Sequence, residues 1–160
     1  MKQRLDHPFA PVWDEHSRVL ILGSFPSVKS REENFFYGHP QNRFWRVVSA
    51  VLGCPKPNTV EEKQSMLLTH GIALWDVIAS CAIEGSADAS ITDAVPNDLA
   101  PIFAAADIRA VYCNGSAAWA LYQKHILPVL GRAAVKLPST SPANARWTIE
   151  KLTEAWSVIR

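Results

Sequence analysis

The chain has 160 residues, enough for one domain with a real core, and its 48% apolar and 19% charged residues exclude a disordered polypeptide. A net charge of +1 names no partner, so a nucleic-acid surface would need a local basic cluster, for which Lys29, Arg31, Arg43, Arg46, Arg132, Lys136 and Arg146 are the candidates. No apolar run approaches the roughly 20 residues of a membrane helix, the first ten residues lack a signal-peptide core, and Cys54, Cys81 and Cys113 form no C-x-x-C pair, so we expect a cytoplasmic protein with no membrane contact and no metal.

Residues 1–17 carry Pro8 and Pro11 and little periodicity, which predicts an irregular arm with Phe9 and Trp13 tucked against the domain. RVLIL over 18–22 reads as a buried strand, because a short all-apolar run ending at glycine is how parallel strands look. A long polar and aromatic loop follows. Pro40 is placed to open the first turn of a helix, where its missing N–H costs nothing. On that helix Phe44, Val47, Val48, Val51 and Leu52 recur at i, i+3, i+4, i+7 and i+8, one continuous face, until Gly53 stops it ahead of Pro55 and Pro57.

Thr59 followed by Glu61 and Glu62 predicts an N-cap with acidic residues in the first turn of a helix that ends near His70. IALWDVI over 72–78 is a second strand. Residues 81–95 are small and polar, carry no core signal and predict a surface loop. Asn97 or Asp98 can cap a short helix through Ala106, and 108–113 is a third strand. Asn114-Gly115-Ser116 then turns into a helix with Ala118, Leu121, Tyr122 and Ile126 on one side. A fourth strand over 133–137, the loop LPSTSPANAR over 137–146, and a helix carrying Ile149, Leu152, Trp156 and Ile159 complete the chain.

Strands alternating with helices predict a parallel sheet covered on both faces. Right-handed crossovers then gather the loops that begin at Gly23, Ile78, Asn114 and Leu137 along one rim, where open α/β sheets bind ligands. The first of these, GSFPSVKSREENFFYGHPQNRFW over 23–45, brings Phe25, Phe35, Phe36, Tyr37 and His39 together with Ser24, Ser27, Asn34, Gln41 and Asn42. Rings that stack and amides that read an edge suit a flat polar ligand such as a nucleobase. The same rings would also pack down a long loop, and the residues alone leave both readings open.

GSFPS and GHPQNRFW followed far downstream by LPSTSPANAR resemble the uracil-DNA glycosylase superfamily, and most closely its hypoxanthine-DNA glycosylase branch. IALWDVIASC and VYCNGSAAW fall where that family has strand-and-loop segments. The resemblance implies a single domain over residues 1–160 with the family's three-layer α/β/α sandwich and short central parallel sheet. It also implies a monofunctional, cofactor-free DNA glycosylase that acts as a monomer on double-stranded DNA. Such an enzyme flips out a deaminated base, here hypoxanthine, and hydrolyses its glycosidic bond in base excision repair. The alternatives are a uracil- or mismatch-specific glycosylase, or a non-catalytic damaged-DNA or nucleotide-binding module on the same fold.

Many branches of that family carry Asn or Asp in G-x-Asn-P or G-x-Asp-P to position water; here Phe25 stands in Gly23-Ser24-Phe25-Pro26, and a phenyl ring cannot orient water. The resemblance shifts that role to Asn42 in HPQN, whose carbonyl would hold the water from the first turn of the helix opened by Pro40. The bond breaks through a cation-like sugar, so placement of water matters more than its deprotonation. The implied base-binding residues are Gly23, Ser24, Phe25, Pro26, Tyr37, His39, Asp76 and Asn114, with Phe25 as the stacking ring and Tyr37 as an aromatic wall. On the DNA side, Ser139, Thr140 and Ser141 would grip phosphates, Ala143 and Asn144 would fill the space left by the flipped base, and Arg146 would reach a phosphate or the opposite strand. No lysine stands at the motif positions to form a Schiff base, which points to water as the nucleophile.

Overall fold

Strand pairing divides the protein into two sheets, seen in a computed structural model that describes residues 2–160; Met1, the first residue of the expected arm, lies outside the described residues. In chain order the strands are β1 (Gln3–Asp6), β2 (Val19–Gly23), β3 (Ile72–Asp76), β4 (Ile78–Ile83), β5 (Thr92–Pro96), β6 (Ala110–Asn114) and β7 (Val135–Leu137). The helices are α1 (Val28–Glu33), α2 (Phe44–Leu52), α3 (Val60–Thr69), α4 (Ala100–Ala105), α5 (Ser116–His125), α6 (Leu127–Leu130) and α7 (Ile149–Trp156). The larger sheet is parallel, in the order β3-β2-β6-β7, and helices flank it in a three-layer α/β/α sandwich. All four strands expected of that sheet are present.

β2 lies inside the sheet, and Leu20, Ile21 and Leu22 are wholly buried, which explains why its sequence is apolar without alternation. The periodic face of α2 is buried at Phe44, Val47, Val48 and Val51. α2 packs on α7, where the Phe44 ring meets Trp156 edge-on at 5.8 Å between centroids, and the Trp156 indole N–H donates to the Pro138 carbonyl at 2.9 Å. α3 starts as its sequence predicts: the Thr59 hydroxyl accepts from the Glu62 N–H and the Glu62 carboxylate accepts from the Thr59 N–H, each at 3.1 Å.

Three local expectations are corrected. Residues 3–6 of the arm are a strand, β1, paired antiparallel with β4, although Phe9 and Trp13 do pack against the core. The polar stretch over 81–95 holds the end of β4 and most of β5, two strands of the second sheet, β1-β4-β5, with a 3-10 turn at Asp88–Ser90 between them. The outer strands of that sheet are short and largely exposed, with no buried residue in β1 or β5, so they carry little hydrophobic periodicity. The long loop after β2 contains α1, capped by the Ser27 hydroxyl accepting from the Ser30 N–H at 3.2 Å.

Candidate active site

Register builds the floor of the site. Gly23 at the end of β2 pairs with Asp76 at the end of β3, while the preceding pair, Leu22 with Cys113, leaves Asn114 of β6 abreast on the other side. Gly23, Asp76 and Asn114 thus share one level at the carboxyl ends of the strands. Around them lies a cavity of about 400 Å³, within the range of small-ligand sites. Every expected base-binding residue lines it, namely Gly23, Ser24, Phe25, Pro26, Tyr37, His39, Asp76 and Asn114. Asn42, Ser139, Thr140, Ser141 and Ala143 line it as well.

Gly23 is required at this floor. A Cβ there would sit 2.5 Å from Asp76 Oδ1 and 2.9 Å from the Tyr37 hydroxyl oxygen. Asp76 is buried, and its other oxygen, Oδ2, meets His7 Nε2 at 2.7 Å. The Phe9 N–H faces His7 Nδ1 at 3.4 Å, which leaves Nε2 to carry the proton donated to Asp76. The His7 ring is wedged among Phe9, Phe25, Phe36 and Trp75. Sequence reasoning missed His7. It lies 69 positions from its partner, in an arm with no periodicity, and no local pattern signals the pair.

Tyr37 stacks on Phe44 with ring centroids 4.1 Å apart and holds a left-handed backbone, φ +52°. Its hydroxyl is buried without a hydrogen-bond partner. Burial pushes its pKa above the ordinary tyrosine value, and the Asp76 charge adds to that; the Asn114 amide, which keeps a second N–H after its bond to Thr140, pulls the other way. Tyr37 is therefore a neutral donor whose proton finds no acceptor among the described residues.

The opposite wall is held by a relay of side chains. Asn114 Nδ2 donates to the Thr140 hydroxyl at 2.9 Å, Asn114 Oδ1 accepts from the Thr140 N–H at 3.0 Å, and the Thr140 hydroxyl donates to Asn42 Oδ1 at 2.9 Å. Asn42 Oδ1 also accepts from the Phe44 N–H at 3.0 Å. Two expectations change here. Thr140 is fully buried and fully engaged, so it locks the loop and is out of reach of a phosphate. Asn42 lies in the turn ahead of α2, its carbonyl has both lone pairs occupied, and only its NH2 group is left for the cavity.

Arg43, read from sequence as a candidate DNA contact, instead buttresses the late loop: its guanidinium donates to the carbonyls of Ser141 (3.0 Å), Asn144 (3.1 Å) and Trp147. Arg31 similarly donates to the Pro26 and Gly85 carbonyls, and Arg132 to that of Ile108. Asn144 lines an adjoining groove with Lys136, Ser139, Ser141 and Trp147, and its amide donates to the Ser139 carbonyl. Arg146 is exposed and lines neither the cavity nor the groove. A further residue missed in sequence, Asp88, does line the cavity: its Oδ1 accepts from the Ser24 hydroxyl at 2.7 Å.

The model of the family described as the uracil DNA glycosylase superfamily matches residues 10–160. Two proteins named hypoxanthine DNA glycosylase are similar over nearly their whole length. The one from Methanosarcina acetivorans is 35% identical over 95% of this chain and 96% of its own, and the one from Methanosarcina barkeri is 31% identical over 93% and 94%. A solution NMR structure of a candidate uracil DNA glycosylase from Methanosarcina acetivorans superposes with a TM-score of 0.83 at 34% identity, over 99% of this chain and 98% of that one. With a ligand-sized cavity at the strand ends and the match running almost end to end, the chain belongs to the uracil DNA glycosylase superfamily.

Proposed function

We propose that the protein is a monofunctional DNA glycosylase that excises hypoxanthine from damaged double-stranded DNA by hydrolysing its N-glycosidic bond, working as a monomer in the cytoplasm. The observation that carries the reading is the pair of atoms closing on Gly23, which favours a lactam-bearing base over adenine; the choice of hypoxanthine among such bases rests on the two relatives of that name. Asp76 Oδ1 is an acceptor and the Tyr37 hydroxyl a donor without a partner. Deamination turns the adenine edge, an amino donor beside a ring acceptor, into a lactam with a ring N–H donor beside a carbonyl acceptor. The pair complements the lactam and opposes adenine at both positions, and each buried mismatch costs about 1–3 kcal/mol.

The rest of the cavity serves the same event. Phe25, 7% exposed, offers a ring on which a flipped base gains roughly 1–3 kcal/mol, comparable to the cost of extrusion. Tyr37 donating to the base carbonyl takes up charge that develops on the departing purine. Asn42 presents its NH2 to the sugar or to water. The groove past Ser139, Ser141 and Asn144, with Lys136 beside it, follows the strand. No lysine lines the cavity among the described residues, which favours water as nucleophile and an intact strand after base release.

The test is base release from duplexes carrying a single deoxyinosine, deoxyuridine or deoxyxanthosine. Free hypoxanthine and an alkali-labile site are expected, with no strand cleavage before alkali. The occupied carbonyl of Asn42 favours a second reading, a module that binds damaged DNA without turnover. Salt-sensitive binding to all three duplexes with no base released from any would select it.

A further inference from the structure

Hydrolysis needs an acceptor to fix the attacking water, and the carbonyl of Asn42 already accepts two hydrogen bonds. The cavity holds two carboxylates. Asp76 is turned into the floor by His7. Asp88 comes from the 3-10 turn between β4 and β5, at the rim. Its Oδ1 is fixed by the Ser24 hydroxyl at 2.7 Å, and Oδ2 makes no hydrogen bond among the described residues. Asp88 and the stacking ring of Phe25, whose chain neighbour Ser24 is the donor to that carboxylate, line the same cavity. The carboxylate also faces both the cavity and the groove assigned to the strand. No cation pairs with it among the described residues, so its charge is not already neutralised.

We propose that Asp88 is a catalytic residue that holds and orients the water attacking C1′ of the flipped nucleotide, with Ser24 positioning the carboxylate. In this step the C1′–N9 bond breaks with its electron pair passing to the purine, and the water oxygen bonds to C1′. One water proton passes to the Asp88 carboxylate and on to solvent, and the purine anion takes a proton from solvent. The carboxylate's charge also favours the cation-like sugar. This assignment rests on the glycosylase reading above.

Protein crowded round the Asp88 carboxyl pushes its pKa above the ordinary carboxylate value, and Asp76 adds to this, while the Ser24 hydroxyl opposes it. The other titratable groups nearby are Tyr37 and His39 of the long loop, Arg31 of α1, Cys81 of β4 and Lys136 of β7. Since the carboxylate form is the one that works, the excision rate should fall as pH drops through the pKa of Asp88.

The experiment measures single-turnover excision from a deoxyinosine duplex across pH for the wild type, Asp88→Asn and Ser24→Ala. Affinity is measured separately on an uncleavable 2′-fluoro-deoxyinosine duplex. Asp88→Asn should lose roughly 100-fold or more in rate, with affinity within about 3-fold and no acidic fall in its profile. Ser24→Ala, which leaves the carboxylate but removes the bond that lowers its pKa, should move the acidic fall to higher pH; this readout stands even if Asp88→Asn is poorly folded. An active wild type with Asp88→Asn within about 3-fold of it, or with the acidic fall unmoved in both variants, overturns the role of Asp88 and leaves the glycosylase reading intact. A wild type inactive on deoxyinosine overturns both.

Discussion

The floor and the rim of the cavity are built in different ways. At the floor, Gly23, Asp76 and Asn114 are set by strand register in a parallel sheet whose interior residues are fully buried. At the rim, Asn42, Thr140 and Asp88 are set by side-chain hydrogen bonds, among them Thr140 to Asn42 across 98 positions and Ser24 to Asp88 across 64. A floor of this kind is stiff, since moving one atom means moving a strand. A rim of this kind can lose its arrangement one bond at a time. We therefore expect displacing the floor's backbone to cost more activity than removing one hydrogen bond at the rim.

The largest effect is expected from Gly23→Ala. The added methyl must push Asp76 Oδ1 or the Tyr37 hydroxyl aside, so excision should drop by more than about 100-fold. Overpacking should cost about 1–3 kcal/mol in a denaturant melt. Excision near the wild-type rate would show that the floor yields easily and would erase the contrast with the rim.

Thr140→Val comes next. It leaves Asn42 Oδ1 and Asn114 Nδ2 short of a partner inside the protein, at a cost of about 1–3 kcal/mol in stability. Excision should fall by about 10-fold, less than at Gly23. Tyr37→Phe sharpens the comparison from another side. It removes a hydroxyl that has no protein partner, so the melting temperature should hold or rise, while excision of hypoxanthine falls by about 10-fold. A parallel loss of stability would mean that the hydroxyl serves the fold rather than the ligand.

Thr59→Ala is the smallest, a control far from the site. Loss of the α3 cap should cost about 1 kcal/mol with no change in excision. The Asn58 and Thr59 N–H groups hold the Glu62 carboxyl below the ordinary glutamate value, so its contribution is present above that value and fades as pH falls through the lowered one. Glu62→Gln should accordingly differ least from the wild type in acid.

The same contrast explains what could be read from sequence. β2, α2, α3 and α7 announce themselves by runs, periodicity and caps, and the strand-to-loop order alone places Gly23 and Asn114 on one edge of the sheet, whereas Asp76, inside its predicted strand, is singled out only by the family resemblance. β1 and β5 leave little trace, because short, largely exposed strands joined by polar turns lack a sustained hydrophobic pattern. His7 and Asp88 act through partners 69 and 64 positions away, and nothing in their neighbours marks them. Thr140 looked like a phosphate ligand because a buried threonine and an exposed one are the same letter in an S/T-rich loop; the relay to Asn42 and Asn114 exists only once the strands have brought them together.

The most direct test of the central claim, that Asp76 and Tyr37 read the lactam edge of a flipped purine, alters the base rather than the protein. Single-turnover excision by the wild type should be compared on duplexes bearing deoxyinosine and 1-methyl-deoxyinosine, which replaces the ring N–H by a methyl group. A rate lower by roughly 100-fold or more on the methylated base is predicted, because Asp76 Oδ1 is then left buried against a group that cannot donate. Equal rates on the two duplexes would contradict it.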